Sequence, residues 1–190
     1  WEKLDSLYLT YNKLRSFKHS TLWAHKNLRY LDISDNIGME LPDATTEISM
    51  PSLLFFACCN NSVSVPIYFD KNRFPNLVDL YLNGNHLVEF PDTSLKEHLQ
   101  YLGVARCNLK HLPSHLAEFN MLRYLDARDN NISVVNDRIM MLIKANQVES
   151  YFSGNTACNT DETLNCEPLC SKYCVSQTQL NNKICNYECN

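Results

Sequence analysis

The apolar positions of this chain recur in an order that is neither helical nor simply alternating. In Leu77-Val78-Asp79-Leu80-Tyr81-Leu82-Asn83-Gly84-Asn85-His86-Leu87, leucine holds the first, fourth, sixth and eleventh places and asparagine the ninth. A helix would repeat its apolar residues every three or four positions along the whole stretch, and a plain strand would alternate throughout. A short strand followed by a turn accounts for both departures. Leu80 and Leu82 then point to one side of the strand, and Asp79, Tyr81 and Asn83 point to the other. Asn85 is placed to bond the backbone inside the turn, because its amide can both donate and accept. A unit of this size cannot bury its own leucines, so it predicts neighbours of the same kind.

The neighbours are present. Copies begin at Leu4, Leu28, Leu53, Leu77, Leu99 and Leu122, with steps of 24, 25, 24, 22 and 23 residues. The second apolar column reads Leu7, Leu31, Phe56, Leu80, Leu102, Leu125, and the third Leu9, Ile33, Cys58, Leu82, Val104, Ala127. The asparagine column reads Asn12, Asn36, Asn61, Asn85, Cys107, Asn130, with Asn155 marking a degenerate seventh copy. Later columns run through Leu14, Gly38, Val63, Leu87, Leu109 and Ile132, then Phe17, Leu41, Pro66, Phe90, Leu112 and Val135. Pro42, Pro91 and Pro113 follow that last column, where a missing N–H costs little and the chain can turn onto an outer face. Between repeats, the pattern predicts a short capped turn over Ser114 to Phe119, an apolar-faced helix over Asp137 to Ala145, and an irregular stretch over residues 67–76 that carries Phe69, Phe74 and Pro75.

These copies resemble the leucine-rich repeats of that protein family, over about residues 4–157. The resemblance implies an α/β fold: a right-handed solenoid with a curved parallel sheet on its concave face and short helices or loops on its convex face. Gly154-Asn155-Thr156-Ala157-Cys158 is similar to the opening of the cysteine-rich C-terminal cap of extracellular members, although the usual Cys-x-Cys start and a tryptophan are missing. The expected division is therefore a solenoid over 1–157 and a cap over 158–190. Trp1 runs almost directly into a repeat, which points to a processed or truncated part of a longer chain.

Six of the nine cysteines, Cys158, Cys166, Cys170, Cys174, Cys185 and Cys189, fall in that cap and read as a disulfide framework. The spacings Cys170-x3-Cys174 and Cys185-x3-Cys189 put thiols one helical turn apart. Pairing Cys170 with Cys189 and Cys174 with Cys185 leaves Cys158 with Cys166, one of the 15 arrangements six cysteines allow. Zinc is the competing reading of the same spacing. Of the other cysteines, Cys58 and Cys107 are expected to be inert core thiols, and Cys59 is expected on the open face of its strand.

Composition narrows the function. Apolar residues at 45% and charged residues at 20% describe a folded chain. A formal charge of -4 argues against nucleic acid as the main partner. No apolar run approaches the length of a membrane span. Serine elbows, phosphate loops, dinucleotide fingerprints and metalloprotease motifs are missing, so no catalytic residue, metal site or cofactor is assigned. His111 and His115, with Pro113 between them, read as solvated outer-face residues.

Binding has more support. The strand residues between the core positions are expected to line the concave face, and they are rich in aromatics. Candidate partner-binding residues are Tyr8, Tyr30, Asp32, Phe55, Asp79, Tyr81, Asn83, Tyr101, Tyr124, Asp126, Arg128 and Tyr151. Rigid aromatics suit a protein or peptide ligand. The excess of acids over Arg128 favours a partner with basic groups. Two sequons, at Asn60 and Asn131, are candidate glycosylation sites in an extracellular or cell-surface molecule. Two other readings remain: a structural scaffold with an empty concave face, and the regulatory part of a larger receptor or enzyme whose catalytic domain lies elsewhere.

Overall fold

The computed structural model describes residues 2–18, 20–42, 45–62, 64–65, 69–87, 90–159 and 161–166. Cys170, Cys174, Cys185 and Cys189, with the pairings expected of them, lie outside the described residues, as do Val63 and Pro66 of the outer columns.

The chain folds as a leucine-rich-repeat solenoid. Its strands are β1 (Ser6–Tyr8), β2 (Tyr30–Asp32), β3 (Phe55–Ala57), β4 (Ser64–Val65), β5 (Asp79–Tyr81), β6 (His86–Leu87), β7 (Tyr101–Gly103), β8 (Tyr124–Asp126) and β9 (Glu149–Tyr151). Seven of them form one parallel sheet in the order β1-β2-β3-β5-β7-β8-β9. The register aligns Leu7, Leu31, Phe56, Leu80, Leu102, Leu125 and Ser150 across the sheet. That row is the second apolar column read from the sequence, and it includes the degenerate seventh copy. β4 and β6 form a separate parallel pair.

Packing follows the columns. Leu28, Leu53, Leu77, Leu99 and Leu122 are fully buried, as are Leu31, Phe56, Leu80, Leu102 and Leu125. Each such side chain contributes roughly 1.5–3 kcal/mol by leaving water. The irregular outer segments add an aromatic cluster. Trp23 meets Phe56 edge-on at 6.2 Å, Phe69 lies 5.7 Å from Phe56, and Phe74 stacks on Phe69 at 5.5 Å. The Trp23 indole donates to the Phe17 carbonyl at 2.6 Å, so its one polar atom is satisfied.

The asparagine column is a ladder of backbone bonds. Asn85 donates to the carbonyls of Cys58 (2.5 Å) and Leu82 (3.0 Å), and its Oδ1 accepts from the Asn61 amide at 3.1 Å. Asn130 and Asn155 repeat the arrangement, and Cys107 donates its thiol to the Leu82 and Ala105 carbonyls. Burial pushes the Cys58 and Cys107 thiols up to about 12, so neither ionises at neutral pH.

The residue before each ladder position is left-handed in every repeat: Tyr11, Asp35, Asn60, Gly84, Arg106, Asp129 and Gly154. Asparagine, aspartate and glycine tolerate this conformation, whereas arginine and tyrosine do not favour it. In the first six it is held because the backbone N–H bonds to the next repeat, as in Asn60 to Asn83 and Gly84 to Ala105, both 2.8 Å. Gly84 has a second reason to be glycine: a Cβ there would lie 2.1 Å from Asn60 Oδ1.

The convex face carries the expected helix, α1 (Asp137–Ala145). Asn136 caps it by accepting from the Arg138 amide, and Ile139, Met140 and Leu142 turn inward. Ser114–Glu118 is a 3-10 turn that begins after Pro113 with no side-chain cap. His115 departs from expectation: it is half-buried, with Nε2 3.2 Å from the Pro91 carbonyl and its ring between Phe90 and Phe119. At the far end Cys158 and Cys166 form a disulfide, Leu164 is buried, and the Phe152 amide donates to Asn165 at 2.8 Å.

Candidate functional site on the concave face

The residues between the core columns form three rows across the sheet. The first runs Ser6, Tyr30, Phe55, Asp79, Tyr101, Tyr124, Glu149, and the second Tyr8, Asp32, Ala57, Tyr81, Gly103, Asp126, Tyr151. Two positions further along the chain, the third row is Thr10, Ser34, Cys59, Asn83, Ala105, Arg128, Ser153.

The rows differ in access. Every member of the first row is half-buried or exposed, Tyr101 at 38%. In the second row Tyr8 is exposed at 46%, but Asp32, Ala57, Tyr81, Gly103, Asp126 and Tyr151 are buried. From Ser34 to Arg128 the third row is buried throughout. Of the twelve candidate residues, Tyr8, Tyr30, Phe55, Asp79, Tyr101 and Tyr124 reach the surface, whereas Asp32, Tyr81, Asn83, Asp126, Arg128 and Tyr151 are packed into the sheet.

The cause is lateral packing. Gly103 leaves room on β7, and a Cβ there would lie 2.8 Å from the Tyr81 ring and 2.9 Å from the Asn83 amide. Tyr81 and Asn83 lean over that gap, and Asn83 Oδ1 accepts from the Ala105 amide at 2.8 Å. Asn83 Nδ2 is left buried with no hydrogen-bond partner among the described residues. Cys59 corrects the expectation of exposure. It is fully buried against Ala57 and Tyr81, with Phe55 packed alongside, and it is disulfide-bonded rather than a free thiol.

Aromatic rings run along the sheet in two series. Tyr30, Phe55 and Tyr81 are spaced at 6.4 and 5.6 Å, and Tyr101, Tyr124 and Tyr151 at 6.1 and 5.7 Å. Asp79 lies between the two series. Among the described residues its Oδ1 is buried without a partner, and burial pushes the carboxyl up to about 6. The same burial, with Asp79 alongside, pushes the Tyr81 hydroxyl above its ordinary range.

The remaining charges are largely internal. Arg128 grips Asp126 with two bonds of 2.8 Å, Nε to Oδ1 and Nη2 to Oδ2, and both side chains are buried. Asp32 accepts from the Ser34 amide at 3.0 Å, and the Tyr151 hydroxyl donates to Glu149. Sequence reading set Asp126 and Arg128 towards a partner and missed their pairing; the signal that could have found it is that residues two apart on a strand share a face.

The chain is similar to Toll-like receptor 2. It is 28% identical to chicken (Gallus gallus) Toll-like receptor 2 type-2 over 151 residues and 28% identical to the human protein over 153. Toll-like receptor 2 of Macaca fascicularis is 29% identical over 153 residues. Each match covers 69% of this chain and 19% of the receptor, so the chain spans about a fifth of the length of these relatives. No protein-family model matches the chain. Toll-like receptor 2 is by its name a receptor. Among the described residues no helix is long and apolar enough to cross a membrane.

The sequons differ in setting. Asn131 is exposed. Asn60 is half-buried, donates its amide to Asp35 Oδ1 at 3.1 Å and lies over Gly84.

Proposed function

We propose that this chain is a non-catalytic recognition module within the extracellular part of a receptor, and that it binds a protein or peptide through the first row of its concave sheet. The observation that carries the reading is the accessible run Tyr30, Phe55, Tyr101 and Tyr124 on a rigid sheet. Large rings with few rotatable bonds supply contact area at low entropic cost, as interface anchors do. The similarity to proteins named as receptors supports the class of function, and the disulfide Cys158–Cys166 suits an oxidising, extracellular location.

The test is capture of a partner from extracellular medium by the immobilised chain, compared with Tyr101→Ala and Tyr124→Ala. Loss of capture with cooperative melting retained supports the reading, and unchanged capture by both variants overturns it. One observation favours the scaffold alternative: six of the twelve candidate residues are packed into the sheet and hold it together. In that case both tyrosine variants capture partners as the parent does.

A further inference from the structure

Asp79 is the one acid of the first row that lies between aromatic neighbours on both sides, and among the described residues no cation balances it. Strand neighbours stand about 4.8 Å away. That spacing puts Phe55 on one flank of the carboxylate and Tyr101 on the other. Tyr81 and Asn83 follow on its own strand. Among the described residues of the concave rows, β3 and the residues after it offer Phe55, Ala57 and the disulfide-bonded Cys59, and β7 and the residues after it Tyr101, Gly103 and Ala105. The cation of the concave rows, Arg128, is committed to Asp126. Among the described residues Asp79 Oδ1 is therefore a buried acceptor with no donor, while the side chain as a whole is only half-buried. A buried acceptor left unpaired is destabilising, and folds rarely keep one without a use.

We propose that Asp79, flanked by Phe55 and Tyr101, is the subsite for one cationic side chain, a lysine or arginine, of the protein partner. The inference rests on the concave-face reading above and names the chemistry at its centre. A cation seated there meets the carboxylate with its charge and the flanking Phe55 and Tyr101 side chains with its sides, two attractions that act together on ammonium and guanidinium groups. A neutral donor would use only the first, and an anion would be repelled. Burial makes the carboxylate harder to ionise in the empty site, and an arriving cation restores the charged form.

Full-length chain labelled for NMR is titrated with N-acetyl-arginine amide, N-acetyl-lysine amide and the uncharged isostere N-acetyl-citrulline amide. Saturable shifts centred on Asp79, Phe55 and Tyr101 are expected for the two cations at millimolar ligand. With citrulline or with Asp79→Asn, affinity should fall about tenfold or more. Equal binding of citrulline, retained binding by Asp79→Asn, or no saturable shift at tens of millimolar cation overturns the proposal. Partner capture separates the two readings. If Tyr101→Ala and Tyr124→Ala abolish capture while Asp79→Asn retains it, concave recognition stands and the cation subsite falls. If the cations bind at Asp79 but both tyrosine variants capture normally, the subsite stands and the wider reading falls.

Discussion

Asp79→Asn should make this protein more stable while making it a poorer binder. Burial raises the Asp79 carboxyl from 3.8 to about 6. A carboxyl with its folded value above its unfolded value holds its proton more tightly when folded. The folded state therefore loses stability as the pH rises from about 4 to about 6, and carries the full penalty above that. The interval corresponds to about 3 kcal/mol at full weight. The side chain is only partly withdrawn from water, so about 1–2 kcal/mol is the working figure at neutral pH. Asparagine occupies the same volume without charge, and in a domain of this size the gain is a rise in Tm of about 3–6 °C. Thermal melts followed by circular dichroism, run on parent and variant from neutral pH down to about 4, measure it. The advantage should shrink as the pH falls and vanish once Asp79 is protonated in both folded and unfolded chains. A variant that is no more stable at neutral pH refutes the reasoning. So does an advantage that persists unchanged in acid, because its origin would then not be the charge.

Four further outcomes follow from the packing. Tyr101→Ala should weaken partner capture about tenfold at a stability cost near 1 kcal/mol, whereas Tyr81→Ala, at 4% exposure, should cost about 3 kcal/mol; equal melting temperatures for the two would contradict the burial. Arg128→Ala strands Asp126 in the sheet and should lower stability by about 3–5 kcal/mol in denaturant titrations, and a change below about 1 kcal/mol would mean the fork contributes little. Leu125→Asp places an unpaired charge in a fully buried layer and should abolish the cooperative melt, while a soluble, cooperatively melting variant would contradict the register. In secreted material, Asn131→Gln should remove a glycan mass that Asn60→Gln leaves in place, because the Asn60 amide is bonded to Asp35 and packed over Gly84; mass spectrometry reads both.

The fold was legible because a solenoid states its register many times. Each layer repeats the same apolar offsets, so Ser150 and Tyr151 could be assigned to a seventh strand even though a leucine was missing there. The helix Asp137–Ala145 was legible through its one apolar face, while its cap, Asn136, emerged only in the fold. The left-handed turns were not legible: Tyr11 and Arg106 carry no local signal for that conformation and adopt it because of bonds to the next repeat. Alternation along a strand predicts which face Cys59 shares, but not whether that face is open. Its burial comes from Tyr81 on the neighbouring strand, which the small residues Ala57 and Gly103 allow to settle. His115 fails for a related reason. Pro113 does prevent a shared helical face with His111, but Phe90 and Phe119 then enclose the ring.

The sealing of the second and third rows changes what a ligand on this face must look like. With Asp32, Tyr81, Asp126 and Arg128 turned into the sheet, the aromatic and acidic side chains still open from β2 to β8 all lie in the first row. That row runs across the strands, not along them. From Tyr30 to Tyr124 it crosses four strand-to-strand intervals, roughly 19 Å. An extended peptide covers that distance in about six residues, and one laid across the sheet would meet Tyr30, Phe55, Asp79, Tyr101 and Tyr124 in turn. A cation near the middle of such a segment, with apolar groups on either side, matches the order of the row. A ligand that runs parallel to the strands meets only one first-row residue before it reaches the packed rows. The proposed recognition mode therefore requires a crosswise ligand, and a partner that loses nothing when both Tyr30 and Tyr124 are changed to alanine cannot be using it.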